Sequence, residues 1–141
     1  MITKPTTVSL HWYKTKLSEL HLLGESYFYA FTRANTIVYI GKSEWTTLKA
    51  EISQNLKRLQ ISNIGLSLWI GYIETDKTTI KRITTQIIDD VESLLIYKIP
   101  TTFNNKKTKS YRGRIPLRVI NNNIELFPTQ MNITVKTSIV R

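Results

Sequence analysis

Cysteine is absent from the 141 residues. Its absence excludes disulfide frameworks, thiolate metal sites, iron–sulfur clusters and cysteine nucleophiles together. Histidine is nearly absent: His11 and His21 are too few for a histidine-rich metal site. No apolar run approaches the ~20 residues of a membrane span, and the N-terminal stretch lacks the continuous apolar segment of a signal peptide. A reducing cytoplasm is the expected compartment, with no membrane partner. Acidic side chains are scarce as well, ten against twenty lysines and arginines.

What is present has globular proportions, 41% hydrophobic and 21% charged. One domain spanning 1–141 is expected, and a chain of this size buries roughly 68–70% of its surface without help from a staple. The charge excess is uneven. Residues 1–103 carry twelve basic and nine acidic side chains, whereas residues 104–141 carry eight and one. Lys106, Lys107, Lys109, Arg112, Arg114 and Arg118 form a run with Tyr111 inside it and no carboxylate. Such a patch attracts polyanions, nucleic acid first among them; the plainer reading is a solvated loop that aids solubility.

Periodicity outlines the organisation. Leu10, Tyr13, Leu17, Leu20 and Leu23 recur at spacings of three and four, which predicts an N-terminal helix within 1–25, stopped by Gly24. Residues 26–33 and 36–40 are β-prone and predict a hairpin. Ser43 is placed to cap a helix reaching Leu59, with Leu48, Ile52, Leu56 and Leu59 buried. Residues 66–73 alternate as a strand, and a wide apolar stripe predicts a helix over 77–98, ended by Pro100. A basic loop, a hairpin of 116–121 with 124–127, and a last strand over 132–139 complete a mixed α/β (α+β) domain.

Two segments carry a resemblance. Tyr27-Phe28-Tyr29 precedes Tyr39-Ile40-Gly41-Lys42 with ten residues from Tyr29 to Tyr39, and Glu92-Ser93-Leu94-Leu95-Ile96 precedes Pro100 and Phe103-Asn104. Together, over roughly 26–105, they resemble the GIY-YIG nuclease family. The resemblance implies a small three-stranded sheet flanked by helices, to which the N-terminal helix and a C-terminal β extension over 106–141 would be added. It also implies a DNA endonuclease, double-stranded DNA as partner, and Mg²⁺ or Mn²⁺ as cofactor.

The residues the resemblance assigns are chemically suited to phosphodiester hydrolysis, which needs an activated water, charge neutralisation and a stabilised leaving oxygen. Tyr29 and Tyr39 hold the positions near the attacking water. A phenol ionises near pH 10, so a cation such as Lys42 beside it would help. Glu92 is the implied metal ligand, with Asp89 one turn before it, and Asn104 orients a loop or touches phosphate. Each tyrosine alone reads equally as a strand residue packing a sheet face. The family's phosphate-holding arginine is replaced here by Lys49, which supplies charge without the planar fork; Arg58, further along the same helix, is the other candidate for that clamp. The family's aromatic or histidine four residues on is Ser53, and the glycine of its first triplet is Tyr27. Arg58, Lys106, Lys107, Lys109, Arg112 and Arg114 are the expected phosphate contacts. The competing function keeps DNA binding and loses cutting.

Overall fold

The computed structural model describes residues 6–20, 27–43, 48–79, 82–99, 101–104, 111 and 113–133. The fold is mostly sheet. Strands β1 (Thr6–Thr15), β2 (Tyr27–Arg33), β3 (Thr36–Ser43), β4 (Leu66–Ile73), β5 (Leu117–Asn122) and β6 (Gln130–Ile133) form one six-stranded sheet in the order β3-β2-β4-β1-β5-β6. Among the described residues there are two α-helices, α1 (Leu48–Arg58) and α2 (Thr85–Lys98), besides short 3₁₀ turns. All strand pairs are antiparallel except β1 with β5, which is parallel. No described helix is long and apolar enough to cross a membrane.

This corrects the expected three-stranded sheet. The decisive difference is the N-terminal segment, which is a strand and not a helix. Its period-three spacing coexists with a strict alternation of Val8, Leu10 and Trp12, which are buried on one face. Residues 6–15 are also rich in threonine, valine and aromatic side chains, which fit a pleated half-buried surface better than a helix. The helical tendency survives only as a 3₁₀ turn over Leu17–Glu19. The C-terminal strands are not an appendage, because β5 pairs directly with β1. The partner of β5 is β6 at 130–133, not residues 124–127, which are irregular.

From 27 to 98 the larger elements follow one another as strand, strand, helix, strand, helix. Ala34 and Asn35 turn the β2–β3 hairpin with φ of 51° and 61°, the positive values that a two-residue type I′ turn requires. Ser43 is the last residue of β3, paired with Tyr27; the residues it was expected to cap, 44–47, lie outside the described residues. Helix α2 starts later than periodicity suggests because Thr84 takes the cap position, its hydroxyl accepting from Ile87 N at 3.3 Å.

The sheet separates two cores, and the alternation of β2 sorts them. Phe28 and Ala30 face a cluster with Val8, Leu10, Trp12 and the α2 residues Ile88, Val91, Leu94 and Leu95. Tyr29 and Phe31 face the other side, with Leu48 and Ile52 of α1, Leu68 and Ile70. The two helices therefore pack on opposite faces. Trp12 anchors the first core: its indole N–H donates to Asn121 Oδ1 at 2.9 Å, and its ring lies 4.8 Å from Phe127 between centroids. Asn121 Nδ2 in turn donates to the Pro128 carbonyl at 3.0 Å, so no polar atom of the pair is left buried and unmatched.

Gly71 lies under the Trp12 ring, where a Cβ would come within 2.9 Å of three ring carbons. Gly71→Ala should lower the unfolding free energy by about 1–3 kcal/mol, the usual effect of overpacking a filled core. Denaturant unfolding should show a reduced midpoint with an unchanged slope.

Candidate active site at the sheet edge

The site residues gather around β3, the edge strand of the sheet. Tyr29 of β2 stands opposite Gly41 of β3, and its ring occupies the space a side chain at 41 would need: a Cβ there would meet the Tyr29 ring at 2.5 Å. Gly41 is thus fixed by a close approach. Tyr39 projects from the same face, its ring centroid 6.1 Å from that of Tyr29, and Phe31 stacks beside it at 5.5 Å.

Helix α1 lays a polar stripe over this pair. Glu51, Asn55 and Arg58 are four and three residues apart, so they share one flank of the helix. Asn55 is buried and its amide nitrogen hydrogen-bonds the Tyr29 hydroxyl and Glu51 Oε1, the latter at 3.1 Å. Its carbonyl oxygen accepts from Arg58 Nε at 3.2 Å and Nη2 at 2.9 Å. Arg58, not Lys49, is therefore the α1 cation joined to the tyrosines. Lys49 is exposed and falls on the opposite flank of α1, about 180° away around the helix axis by its residue spacing. Glu51 and Asn55 were not singled out from sequence; the i, i+4, i+7 spacing with Arg58 was the available signal.

Glu92 comes from the other helix. Although α2 packs on the opposite face of the sheet, the Glu92 charge reaches both phenols and disfavours their ionisation. Lys42 and Asp89 bridge the same edge with an ion pair at 3.6 Å. The expected cleft on one face is thus replaced by a site wrapped around β3, to which α1 contributes from one side and α2 from the other.

Both phenols are raised above their ordinary value, Tyr29 strongly, and burial is the main cause in each. For Tyr39 the Glu92 charge adds to the upward push, while the Arg58 guanidinium opposes it. Arg58, rather than Lys42, is the foremost cation acting on Tyr39.

Asn104 has a different part. Its amide donates to the Ile40 carbonyl and accepts from Ile40 N, both at 2.9 Å, as a neighbouring strand would. Phe103 N donates to the Val38 carbonyl at 3.0 Å, and the Thr101 hydroxyl also bonds Asn104. Residues 101–104 therefore cap the exposed edge of β3 and carry the chain past the site. Of the basic run, Lys106, Lys107, Lys109 and Arg112 lie outside the described residues. Arg114 is exposed, and its backbone N–H donates to Asp90 Oδ2 at 3.0 Å, which ties the end of the run to α2. Burial raises the Asp90 carboxyl, against the pull of the Arg114 and Ile115 backbone N–H groups. Tyr111 is half-buried on the first core with its hydroxyl donating to the Ile115 carbonyl at 3.1 Å, so it serves packing and not an exposed stack. Trp69 is half-buried, and Trp45 lies outside the described residues.

No family model, curated protein or solved structure matches the chain.

Asn55→Ala removes the partner of a buried hydroxyl and should cost about 1–3 kcal/mol of stability. Adding Tyr29→Phe should restore a large part of that loss, because removing both partners leaves nothing unsatisfied. Chemical denaturation of the two single variants and the double variant measures the coupling.

Proposed function

We propose that this protein is a metal-dependent DNA endonuclease whose phosphodiester site is the GIY-YIG-like constellation at the edge of β3. The single observation that carries the reading is the convergence on Tyr39 of Tyr29, Arg58 and the charge of Glu92. These are the residue types that hydrolysis needs, and they come from four separate elements. The strongly basic chain, net +10, supports a polyanionic substrate.

Glu92 is a half-buried single carboxylate, and among the described residues no three His, Asp or Glu side chains are grouped to enclose an ion. That donor set fits a hydrated Mg²⁺ or Mn²⁺, which takes one or two protein carboxylates and keeps several waters. Asp89, one turn before Glu92, pairs with Lys42 at 3.6 Å. When bound at Glu92, such an ion supplies neutralisation of the phosphate charge.

The chain's own residues supply the rest. Asn55 holds Arg58 through two of its nitrogens, so the remaining guanidinium donors point outward as a planar fork suited to phosphate oxygens. Asn55 also fixes the Tyr29 hydroxyl, and Tyr29 packs Tyr39 in place. The half-buried Tyr39 is the group positioned to accept a hydrogen bond from an attacking water and to orient it.

One observation favours the second reading, a DNA-binding protein without cleavage: burial pushes both phenols away from ionisation, which is opposite to what a general base requires. Supercoiled plasmid incubated with the protein and Mg²⁺ or Mn²⁺ separates the two. Wild-type protein should nick it. Glu92→Ala and Arg58→Ala should each lose at least about 10²-fold in rate, the usual effect of removing one preorganised charge-stabilising group, whereas Lys49→Ala should retain activity. A wild-type protein that shifts DNA in a gel but never nicks it leaves the binding-only reading.

A further inference from the structure

A second concave site lies on the sheet face opposite the tyrosines. It is a cleft of about 610 Å³ between the β2–β3 turn and the segment after β5. Trp69, which belongs to the first core, lines it; Lys14, its register partner on β1, stands beside it. Asn35 and Asn123 lie on facing walls, both with positive φ, and Glu125 lies near Asn123. Thr32 also lines the cleft. Its side chain is one of the few buried polar ones, with the residue 3% exposed. Lys14 and Glu125 form no ion pair among the described residues.

We infer that this cleft binds a single unstacked nucleotide, with the base against Trp69, its edge toward Thr32 and Asn35, and its phosphate toward Lys14. An indole offers a stacking surface for any base, worth roughly 1–3 kcal/mol. Hydroxyl and amide side chains supply both donors and acceptors for a base edge, and one cation suits one phosphate. The volume falls within the usual range for small-molecule sites of about 300–1,000 Å³. Glu125 accepts from sugar hydroxyls or an exocyclic amine. The inference is independent of the edge site, with which the cleft shares no residue.

The test is titration of the intact protein with adenosine 5′-monophosphate, followed by calorimetry and tryptophan fluorescence, beside adenosine and ribose 5-phosphate. The nucleotide should bind saturably and quench fluorescence, adenosine should bind more weakly, and ribose 5-phosphate should not compete. Trp69→Phe should abolish most of the quenching. Thr32→Val, which keeps the shape of the side chain, and Asn35→Ala, at an exposed turn, should each weaken the nucleotide by about tenfold. Ribose 5-phosphate binding as tightly as the nucleotide would overturn the assignment in favour of a sugar-phosphate site. Unchanged affinity in both Thr32→Val and Asn35→Ala, or no saturable binding at all, would overturn it as well.

Discussion

Strand β1 sets the arrangement of everything else. Its first half pairs in parallel with β5 and its second half pairs antiparallel with β4, so a single strand joins the hairpin half of the sheet to the C-terminal half. A strand between two others must present alternating side chains to both faces, and this one does: Val8, Leu10 and Trp12 fill one core while Tyr13 borders the other. The Trp12–Asn121 hydrogen bond ties the two halves where they meet. Without β1 in this position the C-terminal strands would have no sheet to join, and α2 would lose the Val8, Leu10 and Trp12 side chains of its floor.

The edge site follows from the same layering. Because α1 and α2 cover opposite faces, residues from both approach one another only around the rim of the sheet. Edge strand β3 supplies that rim, and Gly41 leaves room there for the Tyr29 ring. The polar stripe of α1 then fixes the hydroxyl of a tyrosine that is otherwise buried among apolar groups. Capping by residues 101–104 protects the β3 backbone from further strand pairing and leaves its tyrosine side exposed. Tyr29 and Asn55 are buried, whereas Tyr39 and Glu92 are half-buried and Arg58 is exposed.

The hairpin, the β4 strand and the two helices were legible because their apolar spacing matches one period only. The N-terminal segment was not, since Leu10, Tyr13, Leu17 and Leu20 satisfy a helical spacing while Val8, Leu10 and Trp12 satisfy a strand spacing, and long-range pairing with β4 and β5 decides between them. The same non-local pairing hid the joining of β5 and β6 to the main sheet. At the candidate site, motif spacing singled out the tyrosine pair, which packs together, and Glu92, whose charge reaches both phenols. The choice between Lys49 and Arg58 as the cation next to the tyrosines was not readable from spacing, because it depends on the rotation of α1 against the sheet, which Leu48, Ile52 and Asn55 set by turning inward. Of the two parts expected of Asn104, its side-chain bonds ally it with orienting a loop, since both ends of its amide bond the β3 backbone.

The central claim is that Glu92 and the tyrosine pair form a site for one hydrated divalent cation, and it can be measured without any DNA cleavage. Mn²⁺ titration followed by electron paramagnetic resonance at neutral pH counts the bound ion directly. The expected result is one ion per chain, lost in Glu92→Gln and retained in Asp89→Asn. Stoichiometric Mn²⁺ binding that survives Glu92→Gln, or no specific binding by the wild-type chain, would contradict it.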